Sequence, residues 1–223
     1  EHSVDDEIVL CLNYDGLYGI NNINRFLQGN NPNPEVVWGV QTYKIGDPVL
    51  FNESNRFYPL IYNNSKGKIV NIEVRKSEIE FDILLDRPIN EMQASDYDFE
   101  IISETEDGNS IIRFTVNKFK STDEDDDLNA DHIVPFQVAY AISIHKAQGL
   151  EYNSVKVVIT DEVDEQITHN IFYTAITRAR ERLKIYWTPE TEKVILSNFR
   201  KKSTNKDVSL ISIKNGLKKQ KIK

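Results

Sequence analysis

Two apolar runs of strand character, Val155–Ile159 and Leu183–Trp187, constrain this chain more than any other feature. The first follows a polar, glycine-ended segment, Ser143-Ile144-His145-Lys146-Ala147-Gln148-Gly149-Leu150-Glu151. The second follows a stretch in which Phe172, Ala175, Ile176, Ala179 and Leu183 recur at three- and four-residue steps. That spacing predicts a helix with one core-facing stripe, carrying Thr177-Arg178-Ala179-Arg180 near its end and N-capped by Thr168. Strands alternating with helices argue for a parallel sheet with its ligands at the strand ends. Arg178 falls off the stripe, so its guanidinium is expected to point away from the domain's own core. On spacing alone, a solvated charge is the ordinary reading of such an arginine.

The stretch AYAISIHKAQGLEYNSVKVVI resembles motif V of superfamily 1 helicases, and IFYTAITRARERLKIYW resembles their motif VI. The histidine and glutamine of the His145–Glu151 stretch are similar to the RecD-like branch of that superfamily. The resemblance implies an α/β fold: a RecA-like parallel sheet of the P-loop NTPase kind, without its own P-loop, interrupted by a small SH3-like β-barrel. It implies a second motor domain made of residues 1–40 and 133–223, with the barrel at 41–132. By the same resemblance Arg178 is the arginine finger, planar, always charged and aimed at a γ-phosphate held by another domain. Gly149, Glu151 and Gln148 would face ATP. Glycine lets backbone approach the nucleotide, Glu151 would bond a ribose hydroxyl, and Gln148 would link the ATP face to the DNA face. Ser143, His145 and Lys146 would contact single-stranded DNA through hydroxyl, imidazole and ammonium. Relatives usually carry threonine at the Ser143 position, and serine keeps the donor.

Toward the N-terminus, Glu7–Asn13 reads as a buried strand and Gly19–Gln28 as a helix stopped by Gly29-Asn30-Asn31-Pro32. This opening resembles motif IV of RecD-like helicases, with Arg25 a counterpart of their phosphate-facing arginine. From Gln41 to about His132 the texture changes to short β-rich runs spaced by turns: Lys44–Phe51, Tyr58–Tyr62, Lys68–Val74, Ile79–Leu85 and Ile111–Phe119. The order of Gly46-Asp47-Pro48-Val49 and the later Tyr62-Asn63-Asn64-Ser65-Lys66-Gly67 turn resembles the family's inserted barrel, although relatives carry a different turn there. The flanking motor strands, Glu7–Asn13 and Gln137–Ala141, are expected to need only each other and the helices, which would make the insertion separable.

Charge is unevenly divided. Residues 1–131 hold 11 basic and 26 acidic side chains, whereas residues 132–223 hold 16 and 9. A nucleic acid would therefore meet the C-terminal part, because phosphate contacts come chiefly from lysine and arginine. Ser121–Asp131 is an acidic run without periodicity, read as a solvated loop. Thr188–Arg200 reads as a helix, and the basic tail Lys201–Lys223 as an edge strand with a frayed end. The single cysteine, Cys11, excludes an internal disulfide and a cysteine-cluster metal site, which fits a reducing cytoplasm. No apolar run reaches the ~18 residues of a membrane span.

ATP hydrolysis needs a phosphate cradle, a magnesium ligand and a stabiliser for charge developing on the γ-phosphate. The sequence contains no GxxxxGK[ST] cradle and no acidic strand end before the motif IV-like segment. ATP and Mg²⁺ are thus expected as cofactors shared with an N-terminal motor domain of the same protein, with no metal ligands in this chain. Single-stranded DNA is the expected partner, a membrane is not, and the barrel could hold a protein partner. Rival readings are a non-catalytic protein-interaction module derived from a helicase domain, and an RNA-acting superfamily 1 helicase, since backbone tracking does not reveal the sugar. The chain by itself is predicted to show no ATPase activity above background, with or without single-stranded DNA. Magnesium-dependent turnover that co-purifies with the chain and disappears in Arg178→Ala would contradict the split site.

Overall fold

The strand β1 (Glu7–Cys11) alternates its apolar side chains between two faces, and both faces are covered. Ile8 and Leu10 enter one core, while Val9 and Cys11 enter another with Ile20 of the helix α1 (Ile20–Gln28). Strands buried on both faces belong in a parallel sheet layered between other elements. The computed structural model describes residues 6–52, 56–118, 132–160 and 169–200. The Ser121–Asp131 run, the Thr168 cap and the Lys201–Lys223 tail lie outside the described residues.

After α1 a short hairpin, β2 (Val36–Trp38) and β3 (Gln41–Tyr43), turns at Gly39. Then come β4 (Pro48–Phe51), β5 (Lys66–Val74), β6 (Glu78–Leu85), the short α2 (Glu91–Ala94), β7 (Glu100–Glu104), β8 (Ser110–Asn117) and β9 (Phe136–Val138). These six strands form one antiparallel sheet in the order β7-β8-β6-β5-β4-β9. The chain then returns through β10 (Ala141–Ser143), β11 (Tyr152–Val158), α3 (His169–Ile176), β12 (Ala179–Tyr186) and α4 (Pro189–Arg200). The parallel sheet runs β10-β1-β11-β12, so the antiparallel sheet is inserted between two neighbouring parallel strands.

Each sheet has its own core. The antiparallel sheet gathers Tyr43, Phe51, Phe57, Phe81, Phe99, Phe114 and Phe136 with the isoleucines of β5, β6 and β8. Most of these rings meet edge to face, at centroid separations of 5.0–6.5 Å, the arrangement that ring quadrupoles favour. On the edge of the parallel sheet, Asn24 takes over the work of a missing neighbour strand. Its amide donates to the Ala141 carbonyl at 2.9 Å and accepts from the Ala141 N–H at 2.7 Å.

Three expectations change. The stretch Tyr58–Tyr62 is not a strand but a turn, in which Ile61 N–H donates to the Phe57 carbonyl and both side chains are buried. The burial repeats every four residues there, not every two. The helix before Leu183 stops at Ile176, so Arg178 lies just beyond its end and Ala179 opens β12. Parallel pairing of β12 with β11, from Tyr152 opposite Ala179 onward, wins over a further helical turn. Leu183 is consequently a strand residue opposite Val155 and is 44% exposed.

The third change concerns the insertion. Residues 136–138 pair with β4, so the segment expected as a motor strand is split between the two sheets. Leu50 of β4 packs into the same core as Ile8, Leu10 and Ile142. The insertion is therefore joined to the parallel sheet's own packing through Leu50.

The seam is closed by Asp47, which is fully buried. Its Oδ2 accepts from Gln28 Nε2 at 2.5 Å and from Lys44 N–H at 2.8 Å, and its Oδ1 accepts from Asn31 Nδ2 and the Tyr140 hydroxyl, both at 2.9 Å. Burial, and then the Asp47 charge, pushes the Tyr140 phenol above its ordinary range, which keeps it a donor. Removing the carboxylate strands these donors. Asp47→Ala is expected to cost about 3 kcal/mol or more of stability, read as a lowered midpoint in urea unfolding.

Candidate functional site

The polar segment after β10 folds into a turn whose inward positions are fixed by packing and backbone bonds. Ile144 N–H extends the sheet by donating to the Cys11 carbonyl at 3.1 Å. Ser143 is buried, and its Oγ accepts the Lys146 N–H at 3.1 Å. Ala147 is buried and donates to the Ser143 carbonyl, and Leu150 N–H returns to the Ala147 carbonyl. Outward, the turn exposes His145, Gln148, Gly149 and Glu151 on one rim. Gly149 has φ +86° and nothing within 4 Å of the place a Cβ would occupy, so backbone and open space meet there. Such a φ is reached by glycine without strain.

Arg178 arrives beside this rim because α3 ends two residues earlier. Thr177 closes the helix by donating its hydroxyl to the Tyr173 carbonyl at 2.8 Å. The half-buried Arg178 guanidinium folds back over the helix end: Nε donates to the Thr174 carbonyl at 3.0 Å and Nη2 to Thr177 Oγ1 at 3.1 Å. Its Nη1 crosses to the Leu150 carbonyl at 2.9 Å. Among the described residues these partners are all uncharged oxygens, so the cation is held without being neutralised. The expected solvated arginine is thus a docked one, because helix-end and turn carbonyls are strong acceptors.

Next to it, Glu151 pairs with Arg180 at 2.9 Å, and both side chains are more than half exposed. A surface pair of this kind is worth roughly 0–1 kcal/mol and is readily exchanged for a ligand group. The backbones are joined as well, since Tyr152 N–H donates to the Arg178 carbonyl at 2.9 Å. Arg178, Gly149 and Glu151 therefore share one rim, with Gln148 beside them, although 27 residues separate Glu151 from Arg178.

The residues expected to touch DNA divide. His145 is exposed, Lys146 is half-buried with Nζ donating to Gln137 Oε1 at 2.9 Å, and the Ser143 hydroxyl is enclosed in its own turn. Gln137 in turn lines a groove of about 1290 Å³ between α1, the β2–β3 hairpin and the antiparallel sheet. Arg25, Trp38, Arg75, Lys76 and Lys118 also line it. Arg25 thus faces this groove. No periodicity marked these residues, since they come from separate elements, but the basic Arg75-Lys76 pair in an acidic insertion was a legible signal.

Comparison with known proteins agrees with the motifs. Residues 138–186, which hold the turn, Arg178 and β12, match the family model of the UvrD-like helicase C-terminal domain. The RecD subunit of the RecBCD enzyme from Buchnera aphidicola subsp. Acyrthosiphon pisum is 26% identical over 203 residues, 89% of this chain and 27% of the relative. Residues 138–186 thus match a helicase C-terminal domain, and the chain as a whole is similar to RecD-like superfamily 1 helicases. The chain spans about a quarter of the length of the curated RecD subunits it matches. It is also 36% identical over 56 residues to the ATP-dependent RecD2 DNA helicase of Deinococcus radiodurans, covering 25% of this chain and 8% of that protein. A solved Pif1 helicase structure, concerned with unwinding at forked double-stranded DNA, shares the fold. It has a TM-score of 0.50 and 14% identity, and the match covers 96% of this chain and 46% of that one.

The Arg178 fork also has a structural duty in the helicase domain. Arg178→Ala leaves the helix-end carbonyl and the Leu150 carbonyl without a cation, and is expected to lower stability by about 1–2 kcal/mol. Urea unfolding of the 223-residue chain measures this.

Proposed function

We propose that this domain is the C-terminal motor half of an ATP-dependent DNA helicase moving 5′→3′ along single-stranded DNA in the cytoplasm. The observation that carries the reading is the Arg178 guanidinium, held among the described residues by neutral oxygens beside open Gly149 and exchangeable Glu151. That wall fits one side of a nucleotide: backbone at Gly149 for close approach, a carboxylate for a hydroxyl, and an unneutralised fork for phosphate. The opposite side, with the phosphate cradle and the Mg²⁺ ligands, belongs to an N-terminal motor domain of the same protein. When bound there, ATP supplies a γ-phosphoryl group whose charge must be stabilised as it transfers. Arg178 is the residue that supplies that stabilisation, by exchanging carbonyl oxygens for phosphate oxygens as the domains close.

The groove lined by Arg25, Trp38 and Lys76 suits a single strand, because it combines cations for the backbone with an aromatic face for bases. Lys146 connects to it through Gln137, and the neighbouring His145 is exposed beside it in sequence. Ser143 serves them indirectly by shaping their turn. The six-stranded insertion is read as the family's SH3-like barrel at 41–132, and the β4–β9 pairing supports extending it to residue 138.

In the full-length protein, Arg178→Ala is expected to abolish DNA-stimulated ATP hydrolysis while ATP binding changes little, since a finger acts mainly on transition-state charge. Arg178→Lys should not rescue, because an ammonium lacks the planar fork. A fluorescent ATP analogue whose affinity falls as far as turnover does would make Arg178 a ground-state ligand instead.

A further inference from the structure

The insertion reaches the nucleotide-facing rim through one side chain. Lys66 opens β5, where its backbone lies opposite Leu50, the residue that ties the insertion to the parallel sheet's core. Its ammonium donates to the Glu151 carbonyl at 2.6 Å and sits 3.7 Å above the centre of the Tyr152 ring. The carboxylate of Asp6, 3.4 Å away, completes the cage, and its other oxygen accepts the Asn153 N–H at 2.9 Å. Three consecutive residues, Glu151, Tyr152 and Asn153, are thereby held by one lysine and one aspartate. Two of them carry the rim: the Glu151 side chain pairs with Arg180, and Tyr152 N–H binds the Arg178 carbonyl.

Energetically this is a stronger tie than a surface ion pair. The Lys66 side chain is 24% exposed and that of Asp6 29%, and an ammonium over an aromatic face gains when it is partly desolvated. Burial raises the Asp86 carboxyl, and the charge of Lys66 draws it back down, which places a further acid within its field.

We propose that Lys66 is a positioning residue for ATP hydrolysis, through which the inserted antiparallel sheet fixes the Glu151–Asn153 peptide and hence the Arg178 fork. It touches no reacting atom. Displacement of the insertion when its groove is filled would move Lys66, and with it the peptide that holds both Arg178 and the Glu151–Arg180 pair. The inference rests on the helicase reading for its catalytic half and on geometry alone for its mechanical half.

Two measurements on the full-length protein separate these halves. In Lys66→Met, amide hydrogen exchange should quicken in the segment 145–153 while β6 and β8 keep wild-type protection. With that change, kcat of the DNA-stimulated ATPase should fall about tenfold with KM for ATP within about twofold, the mark of an effect on the transition state. Lys66→Arg keeps a donor and a planar cation over the ring, and should hold kcat within about threefold of wild type. Should Lys66→Met lose the whole sheet, Asp6→Asn loosens the same cage from the other side and must show the same split. Unchanged exchange and unchanged kcat overturn the proposal, as does a fall of kcat in step with melting temperature in both variants. A wild-type protein that hydrolyses no ATP would sink the helicase reading, and the exchange data would still decide the Lys66 link.

Discussion

The buried carboxylate of Asp47 is the interaction on which the two sheets depend for their relation to each other. Its four donors come from α1, the loop after it, the end of β3 and the connection between β9 and β10. Those are the places where the chain leaves the parallel sheet and where it comes back. A buried charge is costly unless every lone pair is met, and here each oxygen meets two donors. By binding donors from all four segments at once, the carboxylate ties the insertion to the parallel sheet in this relation. Leu50, on the strand that Asp47 leads into, then carries the insertion's packing into the motor core.

A second consequence of that seam is the placement of the rim. The insertion begins after β1 and ends before β10, which are neighbours in the parallel sheet, so its strands stand close to the turn that follows β10. The turn's exposed side carries His145, Gln148, Gly149 and Glu151, while its inward side is pinned by Ser143 and Ala147. Motif VI meets it because α3 ends early and β12 pairs in parallel with β11. Arg178 is thus positioned by helix termination as much as by the strand order, and among the described residues its guanidinium is held by carbonyls and a hydroxyl.

Much of this could be read from residues. The strand before Asn13, the helix up to Gln28, the apolar run at Val155 and the β-rich texture between residues 41 and 132 all carried local signals that the structure bears out. Gly149 and Arg178 stood out through their motifs, and the structure puts them on one rim. Where sequence reasoning failed, a non-local competitor won. Leu183 continues a helical stripe on paper, yet strand pairing across 28 positions claims it. Tyr58–Tyr62 looks like a short β-rich run, yet it forms a turn that buries Ile61 with the preceding Phe57. Residues 136–138 look like motor strand, yet β4 offers them an unpaired edge.

By itself, then, the sequence determined the class of the fold, the parallel strands and the two chemical motifs, because periodicity, glycine placement and charge act over a few residues. Tertiary structure alone decided the rest. Asp47 sits in a turn signal that accounts for the Lys44 N–H and says nothing of its three distant donors. Lys66 reads as one more turn lysine until folding sets it over Tyr152 and against Glu151, 85 residues away. Whether Arg178 is solvated or docked depends on carbonyl oxygens that are free only where a helix happens to stop. Hydrogen-bond satisfaction of buried charge is a property of the whole arrangement, and no window along the chain contains it.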